Sequence, residues 1–377
     1  MNPIPRSRVW LDIDLQALCD NFRAIARKVP ACKVIAVLKA NAYGMGASVY
    51  AEVLSRCGAA GFGVAEPAEA FPLLPYKVPV QILSSVLPEE IEDAAAAGIR
   101  LPVTDLETAR KIERAGARLD RRVKVHVKID TGMGRLGIQL RDARDVVSKL
   151  ATLPHVEIEG IFSHFPNAYA ENDEGTRRQV ADFVSLIHDL EARGIHIPKR
   201  HIANSDGIQN VAEAHLPPFN HVRTGINLHG LFDDEGARTV DLRPVAALRT
   251  RLVSIRRLPA GTSIGYGRTC VLERETLVGV VAAGYADGMP LALSNHGRIL
   301  LRGRACPVLG RISMDYTTLS LEAVPDAQVG DIATCIGRDG DLEIGVNEWA
   351  HLKNTHPYEV ICGFGNRVQR HYHPLHA

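Results

Sequence analysis

The chain has 377 residues, of which 46% are hydrophobic and 23% are charged, a length that suits two domains. The 44 Lys and Arg residues nearly balance the 43 Asp and Glu residues, which argues against nucleic acid or an anionic membrane as a partner. No run approaches the roughly 20 apolar residues that span a bilayer, and no apolar stretch follows the basic N-terminus, so we expect a cytoplasmic protein.

The first 230 residues alternate β-branched runs with Ala- and Leu-rich segments of helical period. The candidate strands are 33–38, 61–65, 78–84, 99–104, 123–129, 156–163, 200–203 and 221–228. The candidate helices between them are 47–56, 88–97, 105–115, 141–150 and 176–193, and glycines are predicted to close four of them at Gly58, Gly98, Gly116 and Gly194. A further helix, 15–29, precedes the first of these strands. Eight such units predict an α/β fold, a (β/α)8 TIM-type barrel, because a doubly wound sheet usually has fewer strands.

The pattern changes after Gly230 to short strands separated by turn dipeptides such as Asp287-Gly288. This predicts a C-terminal, mostly β domain. The polar stretch 233–239 marks the boundary, which gives a barrel over 1–237 and a β domain over 238–377. The first few residues are candidates to join the C-terminal domain.

The seven cysteines are odd in number, and none stands in a C-x-x-C pair. We expect them to be free thiols in a reducing compartment. The histidine-rich C-terminal end lacks acidic or cysteine partners, so no metal site is predicted there.

The active site of such a barrel forms at the carboxyl ends of its strands, and Lys39 directly follows the first apolar run. We expect this lysine to be poorly solvated, which disfavours its charged form. A neutral amine is a nucleophile suited to a Schiff base. The alternative is a lysine that extends to solvent at a strand end.

The fifth candidate strand places Lys124, His126, Lys128 and Asp130 on one face. Some of these polar groups must point into the barrel, and a buried lysine there needs an acidic partner or a chemical change. Carbamylation would turn Lys128 into a carboxylate able to hold Arg135. An ion pair of Lys128 with Asp130 is the alternative.

The last three barrel strands also carry polar residues: His164 follows the sixth, Asn204 and Ser205 follow the seventh, and Arg223 lies within the eighth. Loops after strands seven and eight form the usual phosphate site of such barrels. Ser205 and the backbone N–H groups near Gly225 and Ile226 are suited to cradle a phosphate, although a serine before a helix is more often an N-cap. A lysine, a histidine, arginines and a phosphate cradle at one mouth suit pyridoxal 5′-phosphate (PLP).

Segments spread over the chain resemble, in order, the motifs of the alanine racemase family. The segments are 37–46, 128–137, 204–205, 223–226, 266–269, 284–288, 310–315, 358–360 and 367–372. The resemblance runs from Trp10 to Tyr372. It implies a PLP-dependent enzyme that interconverts L-alanine and D-alanine and supplies D-alanine for peptidoglycan.

The resemblance also implies residue roles. The implied cofactor-binding set is Lys39, which holds PLP covalently, with Tyr43, His164, Asn204, Ser205, Arg223, Gly225, Ile226 and Tyr358. Arg135 and the Met314 N–H are expected to bind the substrate carboxylate, with Lys128 as a carbamate orienting Arg135. Tyr285 and Tyr358 are expected at the entryway.

Racemisation needs proton exchange on both faces of the amino acid. The resemblance assigns these two bases to Lys39 and Tyr266, and it implies a homodimer in which Tyr266 serves the partner's site. Arg223 only donates hydrogen bonds, so a ring nitrogen facing it is expected to stay unprotonated and to be a weaker electron sink.

Several positions depart from the commonest family pattern. Tyr266 follows a glycine, and His229, Tyr169 and Tyr316 replace residues that are frequent there. These departures leave open a serine or broader amino-acid racemase. A decarboxylase of basic amino acids would need a different C-terminal motif set, and a non-catalytic PLP carrier would need only the barrel.

Overall fold

A computed structural model describes residues 7–170, 173–233 and 236–375. The strands are β1 Val9–Asp14, β2 Lys33–Val37, β3 Gly61–Val64, β4 Val80–Ile82, β5 Leu101–Val103, β6 Val123–Asp130, β7 Ile138–Gln139, β8 Val156–Phe162, β9 Lys199–His201, β10 His221–Thr224, β11 Ala246–Leu258, β12 Ser263–Ile264, β13 Cys270–Val271, β14 Thr276–Val281, β15 Arg298–Leu301, β16 Arg304–Pro307, β17 Thr317–Ser320, β18 Ile332–Asp339, β19 Leu342–Ile344 and β20 Gln369–His373. The helices are α1 Leu15–Lys28, α2 Lys39–Tyr43, α3 Ala47–Cys57, α4 Pro67–Ala70, α5 Ile91–Ala96, α6 Leu106–Arg118, α7 Leu140–Leu150, α8 Glu174–Ala192, α9 Ser205–Asn210, α10 Val346–Lys353 and α11 Pro357–Cys362.

The chain divides into two compact units. One comprises Leu18–Leu242, and the other comprises Met1–Ala17 together with Arg243–Ala377. The sequence-based boundary at 233–239 includes positions 234 and 235, which lie outside the described residues. No described helix has both the length and the apolar character needed to cross a membrane.

The first unit is the (β/α)8 barrel that the sequence predicts. Its eight strands form two parallel ladders, in the orders β10-β2-β3-β4 and β5-β6-β8-β9. Backbone hydrogen bonds join the ladders at both seams, from Ile82 N–H to Arg100 O at 3.0 Å and from Arg223 N–H to Ala203 O at 3.0 Å. The strands bury near-continuous aliphatic runs, as parallel strands covered by helices do.

Side chains cap several barrel helices at the predicted starts. Asp105 accepts the Thr108 N–H at 2.7 Å and begins α6, and Asp173 accepts the Thr176 N–H at 2.7 Å and begins α8. Gly58, Gly98 and Gly194 have φ of 94°, 72° and 78°, as helix-ending glycines do.

Gly116 is a correction to that pattern, because it lies inside α6. A Cβ at Gly116 would lie 2.9 Å from the Arg121 carbonyl oxygen and 2.8 Å from the His155 Cβ. Close packing, rather than a helix end, therefore explains this glycine.

The second unit is built on antiparallel strands. Its long strand β11 pairs with β1, β14 and β18, and β1 adds β20 in parallel at the sheet edge. The N-terminal strand β1 thus belongs to the sheet of the C-terminal unit. The mostly β character that the sequence predicts is confirmed.

The expectation of seven free thiols is wrong at one pair. Cys19 and Cys57 form a disulfide, with their Cα atoms 6.2 Å apart. This pair could not be predicted from local pattern, because its members are 38 residues apart and meet only when α1 packs near the end of α3.

Candidate active site

Lys39 stands at the mouth of the barrel, just past the end of β2. The next four residues, 40–43, all have positive φ between 51° and 56°. Such left-handed geometry is costly for residues other than glycine and is concentrated at functional sites. The Lys39 side chain is exposed, so the expectation of poor solvation is wrong for this chain taken alone. The left-handed turn begins immediately at Ala40, which leaves Lys39 at the rim rather than inside.

The predicted phosphate cradle is assembled from three segments of the barrel. The Gly225 N–H donates to the Ser205 Oγ at 3.1 Å, and a Cβ at Gly225 would overlap the Tyr43 hydroxyl. Only glycine allows this approach. Ile226 is fully buried and begins the turn after Gly225.

The N-cap of α9 is Asn204 rather than Ser205. The Asn204 side chain accepts the Gly207 N–H at 2.9 Å, and this places Ser205 at the first helical position. The alternative that Ser205 is merely a cap is therefore wrong, and its hydroxyl faces Gly225 instead.

His229 packs against Tyr43, one of the residues of the cradle. Its ring lies edge-on to the Tyr43 ring at a centroid distance of 5.1 Å, and its Nδ1 lies 3.2 Å from the Tyr50 hydroxyl. Burial lowers the pKa of His229 to about 3, so the ring is neutral. A neutral imidazole thus packs edge-on against the Tyr43 ring.

Lys128 is buried inside the barrel wall. Its Nζ donates to the Leu83 carbonyl at 2.9 Å. Burial first, and then the positive charges of Arg135 and Arg223, lower the pKa of Lys128 to about 8. The neutral fraction of this amine at pH 7 is therefore larger than that of an ordinary lysine.

Asp130 does not serve as the ion-pair partner of Lys128. Its carboxylate accepts the N–H groups of Gly132 at 2.9 Å and Gly134 at 3.1 Å, which shapes the loop that carries Arg135. The Arg135 side chain is exposed on this loop. The ion-pair alternative is wrong, because among the described residues the Lys128 Nζ donates to the Leu83 carbonyl and makes no salt bridge with Asp130.

Arg223 is buried among hydrogen-bond acceptors. Its two terminal nitrogens donate to His201 Nδ1 at 2.6 Å and to the carbonyls of Ser163 at 2.8 Å and Ile202 at 3.0 Å. Burial lowers the pKa of Arg223 to about 9, so it remains a cation at pH 7. The ring of half-buried His164 lies beside it, with Nδ1 3.3 Å from Nη2. Burial and the positive charge of Arg223 hold the pKa of His164 well below its ordinary value.

The remaining predicted residues lie in the second unit. Tyr266, Tyr285 and Met314 are 71%, 44% and 52% exposed. Backbone hydrogen bonds from Tyr285 N–H to Ser313 O and from Ala286 N–H to Met314 O hold two of these segments together. Tyr358 lies at the start of α11, beside the His356 ring.

Arg367 anchors the Met314 loop, a role that the sequence did not reveal. It donates to the buried Asp287 at 2.7 and 2.9 Å, to Asp315 at 2.7 Å and to the Met314 carbonyl at 3.2 Å. Asp287 also accepts the Gly284 N–H at 2.9 Å. The signal was present only as three motifs: 284–288 and 310–315, which each contain an aspartate, and 367–372, which begins with Arg367.

Asn295 performs a similar role next to Tyr266. Its side chain accepts the Gly310 N–H at 2.6 Å and donates to Thr269 at 3.1 Å. The loop that carries Met314 and the turn that carries Tyr266 are therefore tied to one asparagine.

Two family models match the chain. The "Alanine racemase, N-terminal domain" model matches residues 13–233, and the "Alanine racemase, C-terminal domain" model matches residues 245–372. The chain belongs to the alanine racemase family.

Relatives in this family match over nearly the whole chain. The alanine racemase of Symbiobacterium thermophilum is 38% identical over 366 residues, which are 96% of this chain and 96% of the relative. Among solved structures, alanine racemase from Clostridium difficile 630 has a TM-score of 0.92 at 30% identity, over 99% of this chain and 97% of that one. Alanine racemase from Bartonella henselae, solved with covalently bound pyridoxal phosphate, has a TM-score of 0.87 at 27% identity, over 97% and 100%.

Proposed function

We propose that this chain binds PLP and interconverts L-alanine and D-alanine. The observation that carries the proposal is the placement of Lys39, Arg223 and the Tyr43–Gly225–Ser205 cradle on strand ends of one barrel, in a chain that matches alanine racemases over its full length. Such proximity of an amine, a cation and backbone N–H groups suits a phosphorylated aldehyde cofactor.

The chain's own groups fit PLP. The Tyr43 hydroxyl can approach the 225 backbone only because residue 225 lacks a Cβ, so a phenol O–H and the backbone there are available together for a phosphate. Arg223 uses both terminal nitrogens for protein acceptors, whereas its Nε–H donates to none of the described residues. A donor left over at this position suits the unprotonated ring nitrogen of PLP.

When bound, PLP supplies electron withdrawal that makes the amino acid's Cα–H acidic. Lys39 Nζ would hold the cofactor covalently in the resting protein. Once the substrate's amino group has displaced it, the free Lys39 amine would exchange the Cα proton on one face, and Tyr266 Oη would exchange it on the other. A phenol is a poor base at pH 7, so a nearby cation must assist Tyr266, and Arg135 is the candidate.

The substrate carboxylate binds Arg135 and the Met314 N–H. Lys128 carries a carbamate that orients Arg135, and the support is a buried amine of lowered pKa near that arginine. His164 packs beside the cofactor ring, and Asn204 holds Ser205 in place. Tyr285 and Tyr358 line the entryway.

The active species is a homodimer with shared sites, located in the cytoplasm, where it supplies D-alanine for peptidoglycan. The exposure of Tyr266 and Met314 supports this assembly, since both side chains are accessible to a partner chain. The barrel is assigned to 1–237 and the β domain to 238–377, with the first residues joining the latter.

The test is turnover of a panel of amino acids, followed by chiral separation of the products. We expect alanine to be racemised fastest and Lys39→Ala to abolish both turnover and the near-visible absorbance of the bound cofactor. A serine or broader racemase is the second candidate, because Tyr316, exposed next to the Met314 loop, departs from the family's usual residue. Faster turnover of serine than of alanine would favour it, and no turnover of any amino acid would reject both.

A further inference from the structure

A row of buried polar side chains runs inside the barrel from Arg223 to Glu159. Arg223 Nη1 lies 2.6 Å from His201 Nδ1, His201 Nε2 lies 3.3 Å from His126 Nδ1, and His126 Nε2 lies 3.1 Å from a Glu159 carboxylate oxygen. His201 and His126 are 0% and 1% exposed. Barrel interiors are normally filled by layers of aliphatic side chains, so this polar row is a departure that needs a reason.

The hydrogen bonds in this row have only one self-consistent direction. A guanidinium donates only, and an ionised carboxylate accepts only. His201 must therefore accept at Nδ1 and donate from Nε2, and His126 must do the same. The reverse arrangement would point an N–H of His201 at an N–H of Arg223 across 2.6 Å.

The carboxylate end of the row is held ionised by cations. Lys199, Arg100 and Lys124 lie 3.0, 3.2 and 3.5 Å from Glu159. The hydrogen bonds that Glu159 accepts from His126, Lys199 and Arg100 hold its pKa well below the ordinary value despite burial. Burial lowers the pKa of both histidines, which favours neutral rings with one N–H each.

The backbone next to the His126 ring is shaped to leave space for that ring. A Cβ at Gly160 would lie 2.5 Å from His126 Nδ1 and 2.6 Å from its Cε1. The pairing of β6 with β8 also shifts register between Val125 and His126. Glycine at 160 is thus required where the His126 ring lies.

We propose that Glu159, His126 and His201 are positioning residues that fix both imidazoles as Nε2–H tautomers, so that Arg223 is held as a donor toward the cofactor's ring nitrogen. Only the part of this inference that concerns the cofactor's ring nitrogen rests on the proposed function. The tautomers are a property of this chain's residues, so they are measurable in the cofactor-free protein.

The experiment reads the tautomers directly. Protein labelled with nitrogen-15 at its 15 histidines is studied by long-range proton–nitrogen correlation, and His126→Gln and His201→Gln assign the two signals. Wild type is expected to show Nε2–H at both positions. Wild-type Nδ1–H or an imidazolium at either position would overturn the proposal, whatever the enzyme's activity.

Glu159→Gln is the variant, because an amide both donates and accepts and no longer imposes one direction. We expect a second tautomer to appear at His126 and His201. With labelled PLP bound, the ring-nitrogen signal should move, and kcat should fall roughly 10- to 100-fold, the range for residues that orient a ligand's partner. Glu157→Gln is the matched control: it lies two residues away on β8, faces Lys124 at 3.9 Å and is outside the row. It should leave both signals unchanged.

Gly160→Ala tests the same row without changing a charge, and it should also disturb the His126 signal. If Glu159→Gln and Gly160→Ala both keep wild-type tautomers and an unchanged ring-nitrogen signal, the proposal is wrong. If either variant does not fold, the wild-type tautomers still decide it. If wild type shows the predicted tautomers but racemises no amino acid, the proposed function is rejected and the assignment of the two tautomers still holds.

Discussion

The Tyr43 hydroxyl occupies the space that a Cβ of residue 225 would fill. Two segments 182 residues apart in sequence (43 and 225) are thereby fixed against each other at the barrel mouth. Since the Gly225 N–H also donates to Ser205, one glycine sets the spacing of three of the predicted phosphate ligands.

Gly225→Ala should therefore weaken PLP binding more than it harms folding. The added methyl group must push Tyr43 or the 225 backbone away, at a cost of about 1–3 kcal/mol, or roughly 5- to 150-fold in affinity. Absorbance titration with PLP measures the loss. Gly345→Ala is the control, since its Cβ would meet only one atom within 4 Å, at 3.9 Å. Equal affinities in both variants would contradict the cradle.

Lys128 gives a prediction with a defined pH dependence. Carbamate formation requires the neutral amine, and a pKa of about 8 means that the neutral fraction grows as pH rises from 7 to 9. At fixed dissolved carbon-13 CO2, the carbamate signal in NMR should increase over this range. Lys128→Ala should abolish the signal and lower activity, and acetate should partly restore the activity beside Arg135.

Exposed Lys149, on the outer helix α7, provides the control for Lys128. Lys149→Ala should keep both the signal and the activity. A wild-type protein with an unmodified amine, together with a fully active Lys128→Ala variant, would exclude the carbamate and leave an anion such as chloride as the group beside Arg135.

The Arg367 clamp predicts two unequal aspartate variants. Asp287 has a side chain that is 1% exposed and Asp315 one that is 47% exposed, yet each lies 2.7 Å from Arg367. Removing the buried charge should lower the free energy of unfolding by about 3–5 kcal/mol, whereas the exposed pair contributes about 0–1 kcal/mol. Urea denaturation of Asp287→Asn and Asp315→Asn measures this. Similar losses would mean that burial does not govern the clamp.

The sequence predicted the parts of the fold that depend on local pattern. The eight barrel strands follow apolar runs that are continuous along the chain, so strands such as β6 and β8 were found near their observed ends. Gly116 was misread because its constraint comes from His155, on another segment. Local pattern does not encode such contacts.

The same distinction between local pattern and distant contacts applies to the residues of the candidate site. Residues next to a strand end, such as Lys39 and Arg223, were found from the barrel rule. The role of Arg367, which was named only as the first residue of a motif, and the role of Glu159 were missed because their partners are 80 and 33 residues away. The exposure of Lys39 was missed because the left-handed turn that starts at Ala40 has no glycine before Gly44 to reveal it.

Tyr266→Phe should damage proton exchange on one face of alanine only. It removes the base on that face and leaves Lys39 on the other. Solvent deuterium should therefore still enter one enantiomer, which is followed by NMR of each enantiomer separately. The control is Tyr316→Phe, at another exposed tyrosine of the second unit. This variant should still incorporate solvent deuterium into both enantiomers. Equal loss from the two enantiomers in Tyr266→Phe would make Tyr266 a structural residue.

Complementation tests whether the two bases come from different chains. Lys39 lies in the barrel unit and Tyr266 in the β unit, and in a head-to-tail twofold dimer each β unit would cover the partner's barrel. A heterodimer of Lys39→Ala and Tyr266→Phe chains would then have one site with both defects and one with neither. Mixing the two inactive proteins should restore about half of wild-type activity per heterodimer, since one of two equivalent sites is intact.

Differently tagged chains purified in tandem give the heterodimer, and wild type carried through the same mixing is the control. A purified heterodimer that stays inactive while the control survives would place both bases in one chain.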